Sequence, residues 1–394
     1  MANTDLPEAN GNRPWPDREA QLVRGELSGL AKADLPTPCL VVEQGVLAGN
    51  LARMASHSRA TGLRLRPHFK VHRCVAIARQ QMDLGAIGIC TATIAEAELL
   101  SQCGIHDILW TSQPAGPNKI HRAVALAARN PNFMFAVDSP EVVDLVEQAA
   151  TAARTVVGLV VDVYAGLTRQ GIEAGSPALA LAQRVHASPW LRLRGLMGYA
   201  GWASHTHGWE ARRERSRREL VGLAETVELC HRAGLPVGLV SGGCTGTYDI
   251  DTDSVLTELQ CGSYVFMDTE YRAIGSRHQA GEFTDFGLAL TVMATVTGRP
   301  QPGQCTIDAG DKAVLRPTDR VRGMPWVTIE NQGAEYGILH WGPQDEPLRI
   351  GQRVEIYPTI LDQTTNASER FYVADGDRIV DAWPIMGRGG PAQR

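Results

Sequence analysis

From Thr37 to about Phe266 the chain alternates short apolar runs with longer amphipathic stretches. The run 39–42 precedes a helical pattern over 45–60, 63–69 precedes 74–84, 87–91 precedes 95–103, and 108–110 precedes 117–129. Further on, 133–137 precedes 140–153, 157–163 precedes 177–186, and 193–199 precedes 209–233, with apolar runs again at 237–241 and 264–266. Short apolar runs between helices predict parallel strands buried on both faces. A repeated β-then-α unit of this extent predicts a (β/α)8 TIM-type barrel, typically about 250 residues long. A doubly wound open sheet is the structural rival, since periodicity does not separate the two.

After about residue 286 the texture changes. Strand-like runs at 288–296, 305–308, 327–329 and 353–357 are separated by Gly/Pro turns with little helical pattern, which predicts an all-β domain. The expected organisation is a barrel over 35–285, with 286–394 forming the C-terminal β domain and 1–34 an N-terminal extension attached to it. Residues 1–32 are polar and lack the basic-then-apolar pattern of a secretion signal. No apolar stretch is long enough to span a bilayer. Eight scattered cysteines without a CxxC pair read as thiols in a reducing compartment, which makes the cytoplasm the expected location. A net charge of −5 argues against nucleic acid or an anionic membrane as partner, and leaves a small molecule as the expected ligand.

Lys70 ends the run Arg66-Pro67-His68-Phe69-Lys70, at a predicted strand end. A lysine so placed has a fixed backbone and an amine aimed into the barrel mouth, where desolvation favours the neutral form that attacks an aldehyde. Taken singly, the run suits a solvated loop lysine as well. Ser241-Gly242-Gly243-Cys244-Thr245-Gly246-Thr247-Tyr248 follows another predicted strand. Its three glycines permit tight turns and close approach, while hydroxyls and N–H groups offer donors to an anion. The spacing is not that of a Walker loop, which also requires a lysine. Some twenty residues on, Cys261-Gly262-Ser263-Tyr264 marks a second strand-end loop, and the two together would make a shared phosphate cup.

These segments, with Thr37-Pro38-Cys39-Leu40-Val41-Val42, Gly262 to Asp268, and Asp308-Ala309-Gly310-Asp311-Lys312-Ala313, resemble the D-threonine aldolase and D-serine dehydratase family. That family belongs to the alanine-racemase-like (fold type III) enzymes dependent on pyridoxal 5′-phosphate (PLP), and the resemblance runs in order from about Thr37 to Pro384. It implies a PLP-binding barrel followed by a β domain, usually in a head-to-tail homodimer. By motif, Lys70 matches the lysine that holds PLP as a Schiff base. Ser241, Gly242, Gly243, Thr245 and Gly246 match the phosphate site, together with Gly262, Ser263 and Tyr264. Arg169, in Gly166-Leu167-Thr168-Arg169-Gln170-Gly171, matches an arginine near the cofactor ring oxygen, and Tyr199 an aromatic lining the cofactor site. Without the resemblance, Arg169 reads equally as a surface arginine and Tyr199 as a core tyrosine.

The chain departs from the family at one place. Family members bind a divalent metal (Mn, Mg or Zn) through a histidine and, two residues on, a cysteine or aspartate, after a Tyr-Pro pair. Here the segment is Tyr357-Pro358-Thr359-Ile360-Leu361-Asp362: Asp362 keeps the second ligand, and Ile360 stands in the histidine's place. A second family histidine, in Glu-His-Gly, corresponds to Tyr336 in Glu335-Tyr336-Gly337. The metal acts as a Lewis acid on the substrate β-hydroxyl. In its place Tyr336 is the candidate acid–base group, and a phenol of pKa about 10 needs a nearby cation to act as a base. His340 with Asp362 would give two ligands without a third. His205 and His207, two apart in a loop, match no recognised ligand pattern.

The resemblance implies a lyase that splits a D-β-hydroxy-α-amino acid by retro-aldol chemistry, with Lys70 and Tyr336 as catalytic residues. A metal-independent racemase or D-hydroxyamino-acid dehydratase is the alternative that the altered metal site favours. A PLP-binding homeostasis protein is a third class, and the predicted β domain counts against it.

Overall fold

The computed structural model describes residues 29–388, so the polar segment 1–28 lies outside the described residues. The chain forms two compact units. One comprises Leu51–Val265, Tyr271–Asp285 and the described residues from Met386 onward; the other holds the described residues up to Asn50, with Phe266–Glu270 and Phe286–Ile385.

Strand β1 (Cys39–Glu43) and helix α1 (Gln44–Thr61) open the described order. The eight strands of the first unit follow: β2 (Arg64–Leu65), β3 (Ile89–Thr91), β4 (Ile108–Trp110), β5 (Met134–Val137), β6 (Val157–Asp162), β7 (Leu191–Gly198), β8 (Leu239–Gly242) and β9 (Glu258–Leu259). All pair in parallel, in the order β2-β9-β8-β7-β6-β5-β4-β3. The Ile87 and Cys90 N–H groups donate to the Leu65 and Pro67 carbonyls at 2.9 and 2.8 Å, which joins β3 to β2 and closes the barrel.

Helices α2 (Val75–Asp83), α3 (Ile94–Gln102), α4 (Pro117–Arg129), α5 (Pro140–Ala153), α6 (Ser176–Ala187) and α7 (Trp209–Arg232) follow β2 to β7 in turn. Local chemistry starts several of them promptly. The Ser139 hydroxyl accepts the Val142 N–H, with Pro140 at the first helical turn, and the Thr93 hydroxyl accepts the Glu96 N–H. Every residue of β5, β6 and β8 is buried, as parallel strands covered by helices require. Cys90, Leu109, Met134, Ala136, Val160, Met197 and Leu239 pack as one core cluster.

Two runs that read as barrel strands lie elsewhere. Cys39–Glu43 pairs antiparallel with β10 (Leu290–Gly298) and parallel with β16 (Arg370–Asp375), in the second unit. Residues 264–266 form no strand: Ser263–Val265 is a 3-10 turn, and the eighth barrel strand is the two-residue β9 before it. A short helix, α8 (Thr269–Ala273), follows.

The second unit is a mostly antiparallel sheet. It also contains β11 (Gln304–Ile307), β12 (Arg320–Val321), β13 (Thr328–Asn331), β14 (Gly337–His340), β15 (Arg353–Tyr357) and β17 (Arg378–Pro384), in the order β13-β14-β11-β10-β1-β16-β17. β15 pairs with β10 and β12. Helix α9 (Leu361–Ala367) interrupts the β texture. No helix among the described residues is long and apolar enough to cross a membrane.

Candidate active site

Lys70 follows the C-terminal end of β2, in a 3-10 turn Phe69–Val71. The turn is set by His68, whose Nδ1 accepts the Lys70 N–H at 3.4 Å and whose Nε2 lies 3.3 Å from Thr111 Oγ1. Thr111 gives its hydroxyl hydrogen to the Thr91 carbonyl, so Nε2 must be the donor and His68 a neutral imidazole. Burial first, and the Lys70 ammonium next, push the His68 pKa well below its ordinary value, in agreement with that tautomer.

A cavity of about 280 Å³ lies over this turn. Its lining brings together Lys70, Arg169, Tyr199, Gly243, Thr245, Gly262 and Ser263. The Arg169 guanidinium stands 5.6 Å from the centre of the Tyr199 ring, within cation–π range.

The other residues of the two glycine turns work behind the surface. Ser241 gives its hydroxyl to Glu258 at 2.7 Å and receives Gln260 Nε2 at 2.8 Å, while Glu258 forms a two-pronged pair with Arg66. The Tyr264 phenol turns away, to Gln81 Nε2 at 2.9 Å; its backbone N–H joins the two turns by donating to Thr245 Oγ1 at 2.9 Å. Because Thr245 Oγ1 accepts there, its hydrogen is left for the cavity that it lines. No acceptor among the described residues takes the N–H of Thr245 or Ser263.

Glycine is required at several of these positions, Gly243 and Gly246 among them. Gly243 has φ +73°, and a Cβ would stand 2.8 Å from Leu259; at Gly246 a Cβ would meet the Ser204 carbonyl oxygen at 2.1 Å.

Under the first turn lies Asp251, 1% exposed, which receives Ser216 Oγ at 2.6 Å and Thr247 Oγ1 at 2.5 Å. Burial pushes its carboxyl up to about 6. Since the folded form holds the proton more tightly than the unfolded chain, this group favours folding most below about pH 4, and that contribution is lost as pH rises to about 6. We expect the stability of Asp251→Asn relative to the unsubstituted protein to increase over pH 4–6 and to level off above it. Urea melts of both proteins across that range measure the difference.

Several lining residues escaped the sequence reading: His68, Thr111, Ser112, Gln170, Gln260 and Tyr271. Thr111 and Ser112 directly follow β4, and that strand-end position is the signal that could have found them. Tyr336, Ile360 and Asp362 belong to the second unit. Tyr336 is 52% exposed just before β14, and Ile360 caps α9 with Asp362 in its first turn. The half-buried His340 lies 3.1 Å from Glu330, His205 packs against Tyr271 with ring centres 4.3 Å apart, and His207 is exposed. Among the described residues, no group of three or more His, Cys, Asp or Glu side chains is placed to hold a metal ion.

The model of the alanine racemase N-terminal domain matches residues 42–270, well over half the chain, and that of the putative serine dehydratase domain matches 289–374. The chain belongs to the D-threonine aldolase and D-serine dehydratase family of alanine-racemase-like enzymes. Within the family it is 32% identical to a D-threonine aldolase of Arthrobacter sp over 91% of this chain and 94% of the relative. It is 33% identical to a D-threo-3-hydroxyaspartate dehydratase of Delftia sp. (strain HT23), over 89% and 97%. The crystal structure of D-threonine aldolase from Filomicrobium marinum superposes with a TM-score of 0.86 at 31% identity, covering 91% of this chain and 97% of that one.

PLP is the cofactor expected of this family, whose members are lyases. The cavity fits it, with one amine, an arginine beside an aromatic ring, and two glycine turns in which the N–H groups of Thr245 and Ser263 have no acceptor among the described residues.

Proposed function

We propose that the protein is a PLP-dependent lyase that cleaves a D-configured β-hydroxy-α-amino acid between Cα and Cβ. The carrying observation is that Lys70 shares one cavity with both glycine turns, in a chain similar over nine-tenths of its length to a D-threonine aldolase.

Lys70 would hold the cofactor through its amine, the Gly243–Gly246 and Gly262–Ser263 turns would take its phosphate, and Arg169 would sit by its ring. When bound, PLP supplies the electron sink for the pair left at Cα. The chain's own groups must do the rest: take the proton of the β-hydroxyl as the carbonyl of the aldehyde forms, and deliver a proton to Cα of the smaller amino acid. Delivery at Cα is the role we assign to Lys70. Tyr336 is the residue we assign to acid–base work, because it stands at a family histidine's position.

Ile360 favours a second reading. Its side chain offers no donor atom, and Tyr336 stands where the resemblance puts a second histidine. A racemase or dehydratase that works without a metal would tolerate both Ile360 and Tyr336. Incubation of the PLP-loaded protein with D- and L-β-hydroxy amino acids, with and without chelator, separates the readings. We expect aldehyde and a smaller amino acid, from the D-isomer only, undiminished by chelator and reduced at least about tenfold in Tyr336→Phe. Ammonia with a keto acid would instead show a dehydratase, and exchange of enantiomers a racemase.

A further inference from the structure

Gln170 lines the cavity just beyond the end of β6, and its hydrogen bonds fix which way the amide faces. Nε2 donates to Asp162 Oδ2 at 2.7 Å and to the Thr111 carbonyl at 3.4 Å. A carbonyl can only accept, and so can an ionised carboxylate; a flipped amide would set Oε1 against both. Asp162 is in turn held by Gln113 Nε2 at 2.8 Å, is 2% exposed, and pairs with no cation among the described residues. Burial is what pushes its carboxyl up to about 7, and the two amide bonds work against that rise. With Nε2 committed, Oε1 is the end of the amide left to the cavity, and no group among the described residues donates to it.

A bare acceptor in this cavity needs a ligand that brings a hydrogen. The lining holds two cations, Lys70 and Arg169, and no carboxylate. The cofactor's phosphate and the substrate's carboxylate are acceptors and gain nothing from an amide oxygen. The substrate's amino group is engaged by the cofactor. On a β-hydroxy-α-amino acid one donor remains, the hydroxyl.

We propose that Gln170 Oε1 accepts the β-hydroxyl hydrogen of the substrate, so that Gln170 selects hydroxylated amino acids, with Asp162 and Thr111 holding it in place. The inference rests on the reading of the protein as an enzyme of β-hydroxy-α-amino acids, and deepens it. An amide does not ionise at neutral pH, so its part is to hold the hydroxyl in one rotamer about Cα–Cβ, and proton transfer stays with a titratable group.

The test compares binding of D-threonine and D-2-aminobutyrate, which differ in the hydroxyl alone, to the PLP-loaded protein. The readout is the absorbance change of the bound cofactor, taken by stopped flow before turnover. We expect the unsubstituted protein to favour D-threonine by about tenfold, the worth of one hydrogen bond. In Gln170→Leu that ratio should fall to about one while D-2-aminobutyrate binds as before. Asp162→Asn, which leaves the lining intact but frees the amide to turn, should lower the ratio too; it decides the matter if the Gln170→Leu protein does not load PLP. A ratio unchanged in the variants, or absent in the unsubstituted protein, overturns the assignment. Discrimination that is present and lost in the variants, in a protein that releases no aldehyde, supports Gln170 and overturns the retro-aldol reading alone.

Discussion

Lys70→Ala should abolish turnover, lowering kcat/KM by at least about a thousandfold, and should remove the visible absorbance of the PLP-loaded protein. The expectation follows from the lining, which contains no second lysine that could take over the bond to the cofactor. The substitution should spare the fold. Lys70 is only half-buried, and the turn that carries it is held by backbone and by His68. Thermal melts without cofactor should therefore coincide, so lost activity would not report unfolding. Arginine is no substitute, because its guanidinium stays charged and cannot serve as the nucleophilic amine. Borohydride reduction followed by peptide mapping supplies the direct reading: the cofactor should be fixed at position 70. A label elsewhere, or a variant that still turns over, removes this residue from the mechanism.

The barrel was legible wherever a strand is an uninterrupted apolar run between helices. The run read at 157–163 is β6, Val157–Asp162, and that at 193–199 overlaps β7, Leu191–Gly198. The two misplaced runs fail for physical reasons. Cys39–Glu43 is buried along nearly its whole length, and a strand covered on both faces looks the same in either sheet; partner choice depends on chain some 250 residues away. At 264–266 the apolar residues pack without pairing, whereas the true last strand is two residues long and includes buried Glu258, so no apolar run marks it. The β16–β17 hairpin went unread although its two-residue turn is Gly376-Asp377, with Gly376 at φ +60°, a recognised hairpin signal.

The site divides along similar lines. Of the residues that line the cavity, the lysine and the glycines stand out as short motifs at strand ends, and Arg169 by the resemblance alone. The polar network that orients them could not. Asp162 meets Gln113 across 49 residues, and Arg66 meets Glu258 across 192. No local spacing announces such pairs. They exist because the barrel brings strand ends together, so they become visible only once the ring of strands is closed.

Arg212 is the sharpest instance, and it carries the second large effect. It sits among the arginines of α7 and reads as one more solvated charge, yet it is fully buried. Its guanidinium donates to four backbone carbonyls: Gly246 at 2.7 Å, Thr206 at 2.9 Å, Ile274 at 3.1 Å and Gly275 at 2.7 Å. One side chain thus ties the Gly243–Gly246 turn to two other segments, the second of them close to Tyr271 in the cavity lining. Arg212→Met keeps the length and apolar stem but leaves four carbonyls without their donor. Buried acceptors that lose a charged partner are costly, and we expect a loss of about 4 kcal/mol in unfolding free energy. Arg212→Lys should recover only part of it, since an ammonium cannot span the same fork of acceptors. Because Gly246 loses its brace in both variants, PLP affinity should fall by at least about tenfold even where the protein stays folded. Urea melts of the cofactor-free variants, paired with equilibrium titration of PLP, measure the two effects separately. A variant as stable as the unsubstituted protein would show that water replaces the guanidinium, and one that loses stability without losing PLP affinity would show that the Gly243–Gly246 turn holds its shape without this arginine.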